Sequence, residues 1–289
     1  MEERMKLALP DVTLCAVTSI NHELTVRALE KCLAHCTFAD AVLISSQPVA
    51  APCRVEVVPP FGGERYAPYV CRNLARTTAS PFNLLVQYDG YILDPSAWSD
   101  QFLAYDYIGA PWPWHRAGRR VGNSGFCLRS KRLLDILADM PLPPAGTFVD
   151  DTFICHTMRD YLEKTCGIGI APENLAGRFA YERQEPGGAT FGFHGLFNFW
   201  RHADDAEMER MVDLLDEYYV TTRAFAEVLF RYHDTGKRDA AKKRVFHRWY
   251  ARLHARMDEP QIRDHLLQYL KDPSFIDTLI SGARGAKAA

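Results

Sequence analysis

No apolar run in the sequence approaches the roughly 20 residues that a bilayer-crossing helix needs. The stretch from Met1 to Lys6 carries charge where a secretory leader would carry an apolar core, so a cytoplasmic location is expected. A strong charge of either sign is also missing. The formal net charge is -2, too small to draw the whole molecule to nucleic acid or to any other polyanion. There is no internal repeat and no low-complexity tract. None of the eight cysteines forms a Cys-x-x-Cys pair, and most lie in apolar segments such as Leu14-Cys15-Ala16 and Phe126-Cys127-Leu128. Reduced core thiols are expected rather than disulfides. Cys32 and Cys36 stand a helical turn apart with His35 between them, but no second ligand pair completes a zinc site. What is present is the composition of a folded enzyme, 47% hydrophobic and 24% charged over 289 residues. That length holds one large α/β domain with an appendage or two ordinary domains.

Strand and helix patterns alternate along the first part of the chain. Val12 to Ser19 is a β-rich apolar run, and His22 to His35 repeats Leu24, Val26, Leu29 and Leu33 at helical spacing. Ala41 to Ser45 and Val55 to Val58 are short strands by the same criterion, Tyr66 to Thr77 is helical with Pro68 in a first turn, and Asn83 to Tyr88 is a buried strand. The alternation implies a largely parallel sheet with helices on its faces, and ligands in such sheets bind beyond the carboxyl ends of the strands. The Pro- and Trp-rich passage Ile108 to Trp114 leads through a basic turn to a loop and strand over Val121 to Leu128. Ser130 to Met140 reads as a helix, and a second begins near Asp150-Asp151 and continues through Ile154, Met158 and Leu162. Glu185 to Gly195 is glycine-rich and reads as a loop.

From about Asp204 the pattern is helical, which divides the chain into residues 1–203 and a C-terminal helical region, 204–289. Lys237 to Arg256 carries eight Lys and Arg against the single acid Asp239. Such a basic amphipathic helix is a solvated face or, on a sharper reading, a peripheral contact with an anionic acceptor or the inner membrane surface.

Chemistry concentrates where apolar strands end in polar groups. In Gln87-Tyr88-Asp89-Gly90 a buried strand runs into a carboxylate, which suits a hard divalent cation, although Asp-Gly is also a common turn. Gly122-Asn123-Ser124-Gly125 offers backbone N–H groups for a sugar or phosphate, or is an ordinary tight turn. Asp150 and Asp151 open a helix, where one can cap and the other serve as general base, or both can merely cap. His194, among glycines and aromatics, is a metal ligand or a hydrogen-bonded core residue. Trp112 and Trp114 can stack on sugar faces of an acceptor or pack beneath a loop.

The runs Val86 to Trp98, Tyr105 to Trp112, Val121 to Ser130, Asp150 to Cys155 and Phe191 to Gly195 together resemble a bacterial family known mainly as a domain of unknown function and regarded as glycosyltransferase-like. The resemblance covers roughly residues 10 to 200. It implies a GT-A-like, Rossmann-like α/β fold in which a metal-binding Asp-x-Asp motif follows a central strand. Here Gln87 replaces the first acid and Asp89 stands at the second. The resemblance further implies that Asp151 is the general base of an inverting enzyme, that His194 joins Asp89 on Mn²⁺ or Mg²⁺, and that Thr18 lies near the nucleobase. The expected activity is transfer from a nucleotide-diphosphate sugar, a UDP-sugar above others, to a saccharide acceptor such as a surface polysaccharide. Two alternatives stand beside it. One is a catalytically silent nucleotide-sugar-binding or scaffolding domain, favoured by Gln87. The other is a sugar nucleotidyltransferase, disfavoured because Thr18 to His22 lacks the glycine-rich loop that cradles a triphosphate.

Overall fold

The computed structural model describes residues 5–284; Met1 to Arg4 of the charged amino-terminal stretch lie outside the described residues. Two compact units divide the chain, 1–194 and 195–289.

In the first unit the elements run β1 (Leu7–Thr18), α1 (His22–His35), β2 (Cys36–Ser45), β3 (Arg54–Val57), α2 (Gly63–Thr77), β4 (Phe82–Val86), β5 (Gly90–Ile92), β6 (Tyr107–Gly109) and β7 (Phe126–Ser130). There follow α3 (Lys131–Asp139), α4 (Asp150–Thr152), α5 (Arg159–Lys164), α6 (Glu173–Phe179), β8 (Ala180–Tyr181) and β9 (Gly192–His194). The central sheet has the order β3-β2-β1-β4-β7-β6, and only β7 runs against the others. This is the mostly parallel α/β architecture expected from the alternation of elements. Leu14, Cys15 and Ala16 of β1 are fully buried, because a central parallel strand is covered on both faces and must be apolar throughout. All eight cysteines are free, and burial pushes the Cys32 and Cys36 thiols up to about 12, the state of inert core residues.

Several boundaries differ from the sequence reading for local reasons. Helix α2 begins at Gly63, which places Pro68 in its second turn. Proline has no N–H to give the Glu64 carbonyl, and the Gly146 N–H takes that role at 3.0 Å. Strand β4 stops at Val86: Gln87 N–H donates to Gly125 O at 2.8 Å and Gly90 N–H to Gln87 O at 3.1 Å, closing a turn around Asp89. The helix expected from Asp150 onward is broken, α4 passing through a π-type turn, Phe153–Thr157, before α5. The glycine-rich stretch before Gly195 is not all loop, since β9 joins β5 and β8 in a second, three-stranded sheet.

The second unit comprises a short 3-10 segment, Leu196–Arg201, and helices α7 (Asp205–Leu214), α8 (Glu217–Val220), α9 (Arg223–Gly236), α10 (Ala240–His254), α11 (Glu259–Leu267) and α12 (Pro273–Arg284). It begins at Gly195, ahead of the 203/204 division read from periodicity. The basic stripe of α10 lies along acids of α7 and α8: Arg244 pairs with Glu209 at 3.3 Å, Arg248 with Asp213, and Arg252 and Arg256 with Glu217 at 2.8 and 2.7 Å. Arg244, Arg248 and Arg252 each stand 35 residues after their acids, so α7 and α10 run parallel with matched four-residue spacing. Much of the stripe's charge is thus met inside this unit. No helix among the described residues is long and apolar enough to cross a membrane.

Candidate active site

Asp89 and His194, 105 positions apart in the numbering, are brought together by the small sheet. Gly90 of β5 stands in register with His194 of β9, so the residue before Gly90 faces the imidazole. The Asp89 Oδ1 to His194 Nε2 distance is 3.2 Å, with the side chains 10% and 15% exposed. Two glycines make the approach possible. A Cβ on Gly90 would meet the Gly125 carbonyl at 2.7 Å, and one on Gly125 would collide with the His194 ring.

The other face of His194 meets a residue that sequence reasoning missed. Its Nδ1 lies 3.2 Å from Glu182 Oε1, and Glu182 Oε2 accepts the Trp112 indole N–H at 3.0 Å. Asn123 Nδ2 comes within 2.8 Å of the same Nδ1. A protonated Nδ1 has no lone pair for that amide, and both groups donate to Glu182. Burial works against a charged imidazole, but Asp89 first and Glu182 next outweigh it and push His194 up to about 10. Burial likewise opposes ionisation of Glu182, whereas the hydrogen bond and charge of His194 hold its carboxyl below the ordinary value. Glu182 follows a two-residue strand with no motif around it, so nothing in the sequence marked it.

The Gly122-Asn123-Ser124-Gly125 loop joins this cluster to a second one. Asn123 sits at φ +66°, and its Oδ1 accepts from Gly125 N at 3.0 Å and Phe126 N at 3.1 Å, while Gly122 N donates to Ala110 O at 3.4 Å. The N–H groups of Gly122 and Gly125, expected to face a ligand, are therefore engaged within the protein. These glycines serve close packing instead: a Cβ on Gly122 would enter the Trp112 ring. Ser124 Oγ lies 3.1 Å from Asp150 Oδ1 and 3.4 Å from Asp151 Oδ2.

The two aspartates have different surroundings. Asp150, 2% exposed, accepts from Arg129 Nη2 at 2.5 Å, and Arg129 is fully buried on β7. Neither aspartate is the N-cap of α4, a position held by Val149 without a side-chain bond, so the capping reading does not hold. Asp151 is pushed up to about 6 by burial and then by the Asp150 charge, with the Thr152 N–H pulling the other way. Arg129 was legible in principle, since an arginine inside the apolar run Phe126-Cys127-Leu128 needs a buried anion.

The remaining expected residues lie around these clusters. Gln87 Nε2 donates to Tyr66 Oη at 2.9 Å, so its amide is committed to α2. Thr18 is buried at the end of β1 with its hydroxyl donating to Ile20 O, and no described contact ties it to Asp89 or His194. Trp112 is 7% exposed and Trp114 is 60% exposed, stacked at a centroid distance of 5.8 Å and 21°. Trp112 is thus a packing and hydrogen-bonding residue, while Trp114 presents an open face. His156 stacks against Trp112 at 5.5 Å and 14°; burial first, then His115, bring it down to about 4, so the ring is neutral.

Residues 74–194 match a family model described as a protein of unknown function, DUF5672. No curated protein matches the sequence. Among solved structures, the chain is similar to residues 1–349 of S. aureus TarS, at 14% identity over 98% of this chain and 91% of that chain with a TM-score of 0.41. It is also similar to a glycosyltransferase involved in glycosylation of the major capsid of PBCV-1, at 13% identity over 63% of this chain and 92% of that one, again with a TM-score of 0.41. A third similar structure is TarS 1–349 in complex with UDP-GlcNAc, at 14% identity, 98% and 92% coverage and a TM-score of 0.40.

Proposed function

We propose that this chain is a metal-dependent glycosyltransferase that moves a sugar, with inversion, from a nucleotide-diphosphate donor of the UDP class to a hydroxyl of a saccharide acceptor such as a surface polysaccharide, at the cytoplasmic side of the membrane. The observation that carries the reading is the 3.2 Å edge between Asp89 Oδ1 and His194 Nε2. Adjacent ligands of a six-coordinate ion, each at about 2.1 Å, stand about 3 Å apart, so one carboxylate oxygen and one imidazole nitrogen at this spacing fit Mn²⁺ or Mg²⁺. Glu182 behind Nδ1 supplies the acceptor that a metal-bound histidine ordinarily has for its other N–H. When bound, the ion offsets the negative charge that grows on the departing diphosphate, a contribution of several kcal/mol in such sites.

The protein's own groups do the rest. Asp151 takes the proton of the acceptor hydroxyl as its oxygen bonds to the anomeric carbon and the bond from that carbon to the diphosphate oxygen breaks. A carboxyl near 6 is ionised at neutral pH and basic enough to receive that proton. Arg129 neutralises Asp150 beside it, so that only one of the two acids acts as the base. Trp114 offers its exposed ring to the acceptor.

A second reading is favoured by two observations. Gln87 brings no charge to the motif, and His194 already has a carboxylate at each ring nitrogen. On that reading the domain binds a nucleotide sugar without transferring it. A thermal-shift panel of nucleotide diphosphates and their sugars, with and without Mn²⁺, tests the metal site, and Mn²⁺-dependent turnover of the donor it identifies separates transfer from binding alone. A Mn²⁺-dependent rise confined to one nucleotide and lost in Asp89→Asn is expected. A flat panel, or the same rise in Asp89→Asn, removes the metal-dependent transferase.

A further inference from the structure

A cavity of about 450 Å³ opens between α9, α10 and α12 of the second unit, lined by His233, Lys237, Lys243 and His247 among others. Its volume falls in the range of small-molecule sites. His233 is 7% exposed, yet its buried Nε2 has no hydrogen-bond partner among the described residues; its neighbours there are the rings of Phe246 and Phe275. His247 bonds the Gly282 backbone, and its Nε2 too is buried without a hydrogen-bond partner among the described residues. Buried imidazole nitrogens are ordinarily satisfied, so two bare ones on one cavity call for a ligand.

The charges around the cavity say which kind. Within α10, Lys242, Arg244, Arg248 and Arg252 all pair with acids. Lys243 has no ion pair among the described residues, and it lines the cavity. Lys237 shares Asp234 at 3.3 Å on the rim. Both histidines are held below the ordinary imidazole value by burial first; at His233 Lys237 acts further in the same direction and Asp234 opposes least, while at His247 the Gly282 backbone opposes by more than Lys243 adds. The lysines repel a metal ion, which two histidines alone would suit. A tetrahedral dianion matches an imidazole N–H donor and two ammonium groups better than a planar carboxylate does.

We propose that this cavity is a binding site for a phosphate monoester, with His233 donating to its oxygens, His247 lining the site beside it, and Lys237 and Lys243 matching its charge. The site stands independently of the transferase reading of the first unit. The test uses the full chain, with its histidine imidazole resonances followed by NMR during titration with inorganic phosphate and then glycerol 1-phosphate. A parallel arm measures binding to phosphatidylcholine vesicles with and without phosphatidic acid. Saturable shifts of His233 and His247 are expected, weakened about tenfold or more in Lys243→Met, a substitution at an exposed position. Response to the soluble ions assigns a free phosphoester. Response only to phosphatidic acid assigns a lipid headgroup. No shift with either soluble ion at tens of millimolar together with no preference for phosphatidic acid overturns the site, as does unchanged affinity in both Lys243→Met and His247→Gln.

Discussion

Glu182 Oε1 lies 3.2 Å from Nδ1 of His194, on the side of the ring away from Asp89. The Trp112 N–H holds the other Glu182 oxygen at 3.0 Å, so the carboxylate cannot swing aside and the imidazole keeps Nε2 turned toward Asp89. This makes Glu182 a positioning residue. Glu182→Gln should weaken Mn²⁺ binding by about 10–100-fold, read from the signal of free Mn²⁺ in an electron paramagnetic resonance titration. Affinity equal to that of the unaltered chain would reduce Glu182 to a packing role.

Gly125 is the second point on which this geometry rests. A methyl group there occupies the space of the His194 ring, so Gly125→Ala has to displace the imidazole. Circular dichroism is expected to stay that of a folded protein while the Mn²⁺-dependent thermal shift with the donor nucleotide disappears. Persistence of that shift would show that the ring can move without losing the ion.

These relationships mark the limit of what one sequence carries. The alternation of Val12 to Ser19 with the helix from His22 was enough for the sheet, because buried parallel strands are uniformly apolar and α1 repeats its contacts every turn. Asp89 and His194 were legible as polar groups in apolar settings, and their sequence neighbours bear the family resemblance. The strands that join them were not legible, since three residues such as Gly90–Ile92 or Gly192–His194 are too few to display a period. Glu182 was invisible for the same reason. The glycines of the 122–125 loop were misread because sequence cannot tell an N–H that faces a ligand from one that Asn123 takes for itself.

The buried pair of Arg129 and Asp150 allows a stability test that does not depend on activity. Arg129→Met leaves Asp150 2% exposed with its charge unmatched, and should cost about 3–5 kcal/mol in urea unfolding of the full chain. The double variant Arg129→Met, Asp150→Asn should recover much of that loss. If the single and double variants unfold alike, the pair is not what holds β7 to α4.

On the second unit, Glu217 meets both Arg252 at 2.8 Å and Arg256 at 2.7 Å, with about half of its side chain in solvent. Exposed pairs of this kind contribute little, so Glu217→Gln should cost about 0.2–1 kcal/mol at low salt. Screening at about 1 M salt should erase most of the difference. Thermal unfolding at both salt concentrations measures it, and a cost that does not change with salt would point to packing rather than charge.

Asp151 provides the pH test, and its sign follows from its surroundings. Burial first, then the Asp150 charge, raise its carboxyl from the ordinary 3.8 to about 6. Between those values the folded chain keeps a proton that the unfolded chain has released, so the contribution of this group to stability is full below about 4 and is lost as pH rises through about 6. Asp151→Asn removes the titration. Relative to the parent, the variant should therefore gain stability steadily from pH 4 to pH 7 and hold that gain above it, as followed by urea unfolding across the range. A difference that stays flat over this interval would mean that Asp151 ionises normally. Transfer should run in the opposite sense, because the carboxylate is the form that accepts the acceptor proton: the rate climbs through pH 6 and levels off, and Asp151→Asn lowers it by about 10²–10⁴-fold while sparing Mn²⁺-dependent donor binding. Greater stability and lower activity in one substitution at neutral pH is the behaviour of a charge kept in a poor place for the sake of the reaction.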